Sequence, residues 1–85
     1  MLDYAKYVVT SGSAERLVFF PHSLPHSAIA RMLGGAKVVA AGFLSLITNP
    51  QGKIAVNCYG RSRSLNISAR PEDSRLAAQT LHLDL

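Results

Sequence analysis

Residues 36–66, AKVVAAGFLSLITNPQGKIAVNCYGRSRSLN, decide the fold. Two long apolar runs flank the tetrad Asn49-Pro50-Gln51-Gly52, a turn-forming combination, so the stretch reads as a β-hairpin. The first arm, Lys37–Thr48, is apolar in both phases. Val38, Ala40, Leu44 and Leu46 fall on one side, and Val39, Ala41, Phe43 and Ile47 on the other. A strand apolar on both faces is usually covered on both faces. Gly42 marks a bend or a close backbone approach in that arm.

The return arm, Lys53–Tyr59, puts Ile54, Val56 and Cys58 on one face and Lys53, Asn57 and Tyr59 on the other. Beyond it the apolar residues Leu65 and Ile67 change phase. A single register cannot bury both sets, so a bulge at Gly60 or a short turn before Ser64 must absorb one residue. Either geometry turns Arg61 and Arg63 outward.

Working outward, Tyr4–Thr10 reads as a strand from Tyr7, Val8 and Val9, although Tyr4/Val8 and Ala5/Val9 also fit a helical spacing. Thr10-Ser11-Gly12-Ser13 forms a turn, and Arg16–Phe20 is a short strand stopped by Pro21. Ser23–Leu33 reads as a helix capped by Ser23, with Pro25 in its first turn and Leu24, Ala28, Ile29, Met32 and Leu33 in one stripe. Gly34-Gly35 ends it. Pro71–Leu83 is a second helix, with Glu72 and Asp73 complementing its N-terminal dipole and Leu76, Ala77, Thr80 and Leu81 as its apolar stripe.

The expected architecture is a single α+β domain spanning residues 1–85, a small, mostly antiparallel sheet with two helices on one face, in the order β-β-α-β-β-β-α. The expected sheet core is Leu17, Phe19, Val38, Ala40, Leu44, Leu46, Ile54, Val56, Leu65 and Ile67. Ile29, Met32, Leu33, Leu76 and Leu81 cover it.

A chain of 85 residues buries only about 60–65% of its unfolded surface. Cys58 is its one cysteine, so no internal disulfide can form. Metal ligands are sparse and scattered. Two helices on one face would leave four apolar side chains of the central strand bare on the other, and a second copy would cover them. The expectation is therefore a non-enzymatic interaction module that acts as a homodimer. The net charge of +4, nine Lys/Arg against five Asp/Glu, permits contact with anions but is mild for a dedicated nucleic-acid binder.

The candidate partner- or anion-binding surface is Tyr59-Gly60-Arg61-Ser62-Arg63-Ser64 with Lys53, Asn57 and Arg70. Arginine forks pair with carboxylate or phosphate, and a neighbouring tyrosine stacks on a base or anchors a protein contact. The same residues also suit a solvated sheet edge whose charges prevent aggregation. A small nucleic-acid-binding regulator using Tyr59–Arg63 is the alternative function.

His22 and His26 read as polar residues at a helix start, since Pro25 breaks the geometry of a metal pair. Cys58 shares a face with Ile54 and Val56 and reads as a small core residue. An enzyme would need His22 or His26 to meet Cys58 or a serine. No metal or cofactor is expected. Met1–Lys6 lacks a basic segment followed by an apolar one, and Ala36–Ile47 is too short to span a bilayer. A cytoplasmic protein with no membrane contact is the expectation.

Overall fold

Tyr4–Thr10 adopts its extended alternative and forms strand β1, the centre of the molecule. On one side it pairs antiparallel with β2 (Arg16–Phe20), Tyr7 opposite Phe19. On the other it pairs antiparallel with β3 (Val38–Thr48), Tyr7 opposite Gly42. The hairpin read from residues 36–66 closes with β4 (Ile54–Tyr59), which runs antiparallel to β3 from Thr48–Ile54 to Phe43–Tyr59. The sheet order is β2-β1-β3-β4. A separate ribbon pairs β5 (Arg61–Ser62) with β6 (Ile67–Ser68). The helices are α1 (His26–Met32) and α2 (Asp73–Thr80). This is the expected α+β order, with the last expected strand resolved into two short ones. The computed structural model describes residues 4–34, 36–48 and 50–83. Asn49 of the expected turn, Gly35 of the expected helix stop and Met1–Asp3 of the expected N-terminal reading lie outside these residues.

The phase slip after Tyr59 is located at Gly60, whose φ of 80° ends β4 and starts the ribbon. A left-handed residue there costs a glycine little. Gly42 marks a close approach: a Cβ built on it would lie 2.5 Å from the Tyr59 carbonyl oxygen.

The helices do not share a face, which corrects the expectation. α2 covers Ala5, Tyr7, Val9, Ala40, Leu44 and Val56 with Ala77 and Ala78. On the opposite face, Ile29 of α1 packs with Val8, Phe20 and Ala41, and Val18, Leu33, Val38, Leu65 and Ile67 close around them. The ribbon contacts β3 from this side. Both faces of β1 and of the middle of β3 are thus covered within one chain, while Ile47 near the end of β3 stays 52% exposed. The bare face that argued for a second copy is occupied by α1 and the ribbon.

Several core assignments change with this geometry. A β-bulge between Val9 and Thr10 shifts the β1–β3 register, so Val38 joins the α1 face while Ala40 stays on the α2 face. On β2 the buried pair is Leu17 and Phe20, one to each face, whereas Phe19 on this edge strand is 38% exposed. Ile54, at the start of the other edge strand, is 42% exposed, and Met32 in the last turn of α1 is 77% exposed. α1 is shorter than expected: it begins at His26 with Pro25 as N-cap, and Ser23 makes no cap hydrogen bond. α2 begins at Asp73, whose carboxylate is fully buried instead of facing the solvated dipole.

Candidate functional site

The α1 face carries a cleft of about 610 Å³ where β1, α1, β3 and the ribbon meet. Lys6 and Phe43 are cross-strand partners on β1 and β3 and form its floor. Pro25 and His26 at the start of α1 form one wall. Gly60, Arg61, Arg63 and Ser64 form the other.

Each wall has a local cause. The turn after β5 is held by Ser62, which is 1% exposed and whose Oγ accepts the Leu65 N–H at 3.1 Å. The intervening Arg61 and Arg63 alternate outward and are exposed. The Arg61 guanidinium donates to Asn66 Oδ1, and Asn66 sits at φ 54°, so the fork is steered by the turn it flanks. Arg63 makes no hydrogen bond or ion pair among the described residues. Lys6 Nζ donates to the Leu24 carbonyl at 3.0 Å, which fixes the ammonium beside α1.

His26 is the buried post of the cleft, 4% exposed. Its Nε2–H donates to the Gly42 carbonyl at 2.8 Å, and its ring sits edge-on to Phe20 and Phe43 at centroid distances of 5.5 and 5.7 Å. Burial pulls its pKa below the ordinary histidine value and the Lys6 charge adds to this, while the Gly42 hydrogen bond opposes them. The neutral imidazole is the resting form. Tyr59 stacks on Phe43 at 6.0 Å and 28°, and with 40% exposure it carries the aromatic floor out to solvent.

The remaining expected site residues go elsewhere. Asn57 is exposed on β4, opposite Ser45. Lys53 lies beside Ile54, His82 and Leu83 around a smaller cavity of about 300 Å³. Arg70 is committed to a clamp on the α2 face. Its Nε donates to Asp73 Oδ1 at 2.9 Å and its two terminal nitrogens to Glu15 at 2.9 Å each. Asp73 Oδ2 accepts from the Tyr7 hydroxyl at 2.6 Å and the Arg70 N–H at 2.8 Å. The Glu15 hydrogen bonds raise the Arg70 pKa, and the same bonds lower that of Glu15. Burial first, then Asp73, holds Tyr7 well above the usual phenol range.

Cys58 belongs to this second face. Its N–H donates to Ser74 Oγ at 3.0 Å, and burial, then the Asp73 charge, pushes its thiol up to about 11. His26 packs against Phe20 on the other face of the sheet, so of the pairings an enzyme reading allowed, Cys58 with His26 does not form, whereas His26 and Ser64 line the same cleft. Among the described residues, no group of three His, Cys, Asp or Glu is placed to hold a metal ion. Among the described residues, no helix is long and apolar enough to cross a membrane.

The clamp also sorts the charge. Glu15, Glu72 and Asp73, the carboxylates among the described residues, all lie within 4.0 Å of Arg70, and none lines the cleft. Three cations and no described carboxylate face the cleft. Arg61 and Arg63 were legible as its arms. Lys6, His26 and Phe43 were not, since only the fold brings them there. No family model, curated protein or solved structure matches the chain.

Proposed function

We propose that the domain is a non-enzymatic binding module whose Lys6–Arg61–Arg63 cleft takes a phosphate-bearing anionic group of its partner. One observation carries this reading: three cationic side chains, Lys6 from β1 and Arg61 and Arg63 from the ribbon, line a single cleft from which the described carboxylates are absent. Such a cleft concentrates positive potential, because charges converge there beside low-dielectric walls. Guanidinium forks suit phosphate oxygens, and the Ser64 hydroxyl adds a neutral donor. His26 supports the floor of the cleft, since its Nε2–H is committed to the Gly42 carbonyl. Self-association is not part of this proposal, because α1 and the ribbon cover the face on which it rested.

The test is a calorimetric titration with tripolyphosphate at low ionic strength. Saturable 1:1 binding is expected, weakening as salt is added. Arg63→Ala should lower affinity about tenfold, one hydrogen-bonded charge being worth roughly 1.5 kcal/mol in a partly exposed site. Its urea midpoint should stay unchanged, since Arg63 has no partner among the described residues. Absence of saturable binding, or an Arg63→Ala variant that binds like the parent, would overturn the proposal.

A further inference from the structure

The cleft is more than a set of cations. Its floor is the Phe43 ring, and Tyr59 continues that ring outward with 40% of its surface exposed. An inorganic anion would engage Lys6, Arg61 and Arg63 and leave this aromatic surface unused. A ligand that fills about 610 Å³, with Arg61 and Arg63 on one wall and Lys6 and an aromatic ring on the floor, must join an anionic group to a flat, apolar one. Charged arms beside a stacking platform are also how unpaired nucleotides are held without reading sequence. The Ser64 hydroxyl on the rim offers hydrogen bonding to a sugar or base edge. A duplex does not fit this chemistry, because its bases are already stacked and neither short helix carries a row of basic residues.

We infer that the cleft binds a nucleoside phosphate with its base unpaired, the phosphate on Lys6, Arg61 and Arg63 and the base on the Phe43–Tyr59 platform. This rests on the anion-binding reading above. The unit has two sources with shared chemistry, a free nucleotide and a single strand.

The experiment titrates the whole chain with orthophosphate, tripolyphosphate, adenosine monophosphate, a hexathymidine single strand and a duplex of equal length. Tyr59→Leu is titrated in parallel, since it keeps an apolar contact on Phe43 but removes the π-face. Urea midpoints are recorded for both proteins. Adenosine monophosphate should bind clearly tighter than orthophosphate, and Tyr59→Leu should weaken the nucleotide and the strand about tenfold while leaving tripolyphosphate unchanged. A strand that outbinds the mononucleotide identifies the strand as the source, and equal affinity identifies the free nucleotide. A nucleotide no tighter than orthophosphate, a duplex that binds as well as the strand, or a Tyr59→Leu loss shared equally by tripolyphosphate would each overturn the inference. In those cases tripolyphosphate binding by the parent leaves the anion reading standing, whereas its absence ends both.

Discussion

Replacing Asp73 by asparagine should remove a large part of the domain's stability, although it changes one atom. Asp73 is fully buried, and its two oxygens accept from the Tyr7 hydroxyl, the Arg70 backbone N–H and the Arg70 guanidinium. Asparagine keeps one oxygen and turns the other into a donor. If the NH2 takes the Oδ1 place, it faces the Arg70 guanidinium, donor against donor. If it takes the Oδ2 place, it faces the Arg70 N–H. Either orientation loses the carboxylate charge opposite Arg70. Breaking one side of a buried ion pair costs about 3–5 kcal/mol. Glu15 still neutralises part of the Arg70 charge, which puts the cost near the lower end, about 3 kcal/mol. An 85-residue domain has a total of roughly 4–13 kcal/mol. The assay is urea unfolding followed by circular dichroism at low temperature. With a slope of about 1–2 kcal/mol/M, the midpoint should fall by about 1.5–3 M with little change in slope. Glu15→Gln is the control: its side chain is 45% exposed, and a solvent-screened surface pair contributes little. An Asp73→Asn midpoint within experimental error of Glu15→Gln would refute the assignment of the clamp as the anchor of α2.

Gly42→Ala should lower the melting temperature, because its Cβ would sit 2.5 Å from the Tyr59 carbonyl oxygen and 3.2 Å from Ala69 Cβ. Overpacking of this kind costs about 1–3 kcal/mol, or roughly 4–8 °C per kcal/mol at this size, and an unchanged melting temperature would contradict the close approach. A second expectation concerns pH. His26 has its folded pKa pulled below the ordinary value by burial, so its contribution to stability is present above that value and is lost as pH falls through the lower folded pKa. Stability should therefore decline as pH falls below about 6.5, and protonation would add a fourth positive charge beside Lys6, Arg61 and Arg63. His26→Asn should flatten that slope relative to the parent, and tripolyphosphate should offset the parent's loss. The same slope in both proteins would assign the effect to other groups.

The sheet was legible where local signals agreed. Gly52, the antiparallel pairing of the two apolar arms β3 and β4 and the phase slip at Gly60 each have a short-range cause, and all three hold in the structure. The second layer was not legible. α1 is only seven residues long and contributes one buried large aliphatic residue, Ile29, so its stripe does not reveal which face it covers. Its companions on that face, Leu65 and Ile67, come from a ribbon too short to show a period. Phe19 and Phe20 are adjacent and chemically alike. Only the placement of cover on both faces decides that Phe20 is buried and Phe19 is not.

The site divides in the same way. Arg61 and Arg63 follow from the turn they sit in. Lys6 and His26 join them through cross-strand and helix–sheet contacts between distant parts of the chain. Arg70 looks like the other arginines in sequence, and its removal from the candidate surface depends on Glu15 and Asp73 reaching it across the fold.

The most direct test of the central claim, that Lys6, Arg61 and Arg63 converge on one anion-binding cleft, is a residue-resolved amide chemical-shift titration with tripolyphosphate. The account predicts saturating shifts concentrated at Lys6, Gly60, Arg61, Arg63 and Ser64, with Lys53 and Arg70 unmoved. Small shifts spread evenly over all basic residues, or the largest shifts around Lys53 or Arg70, would contradict it.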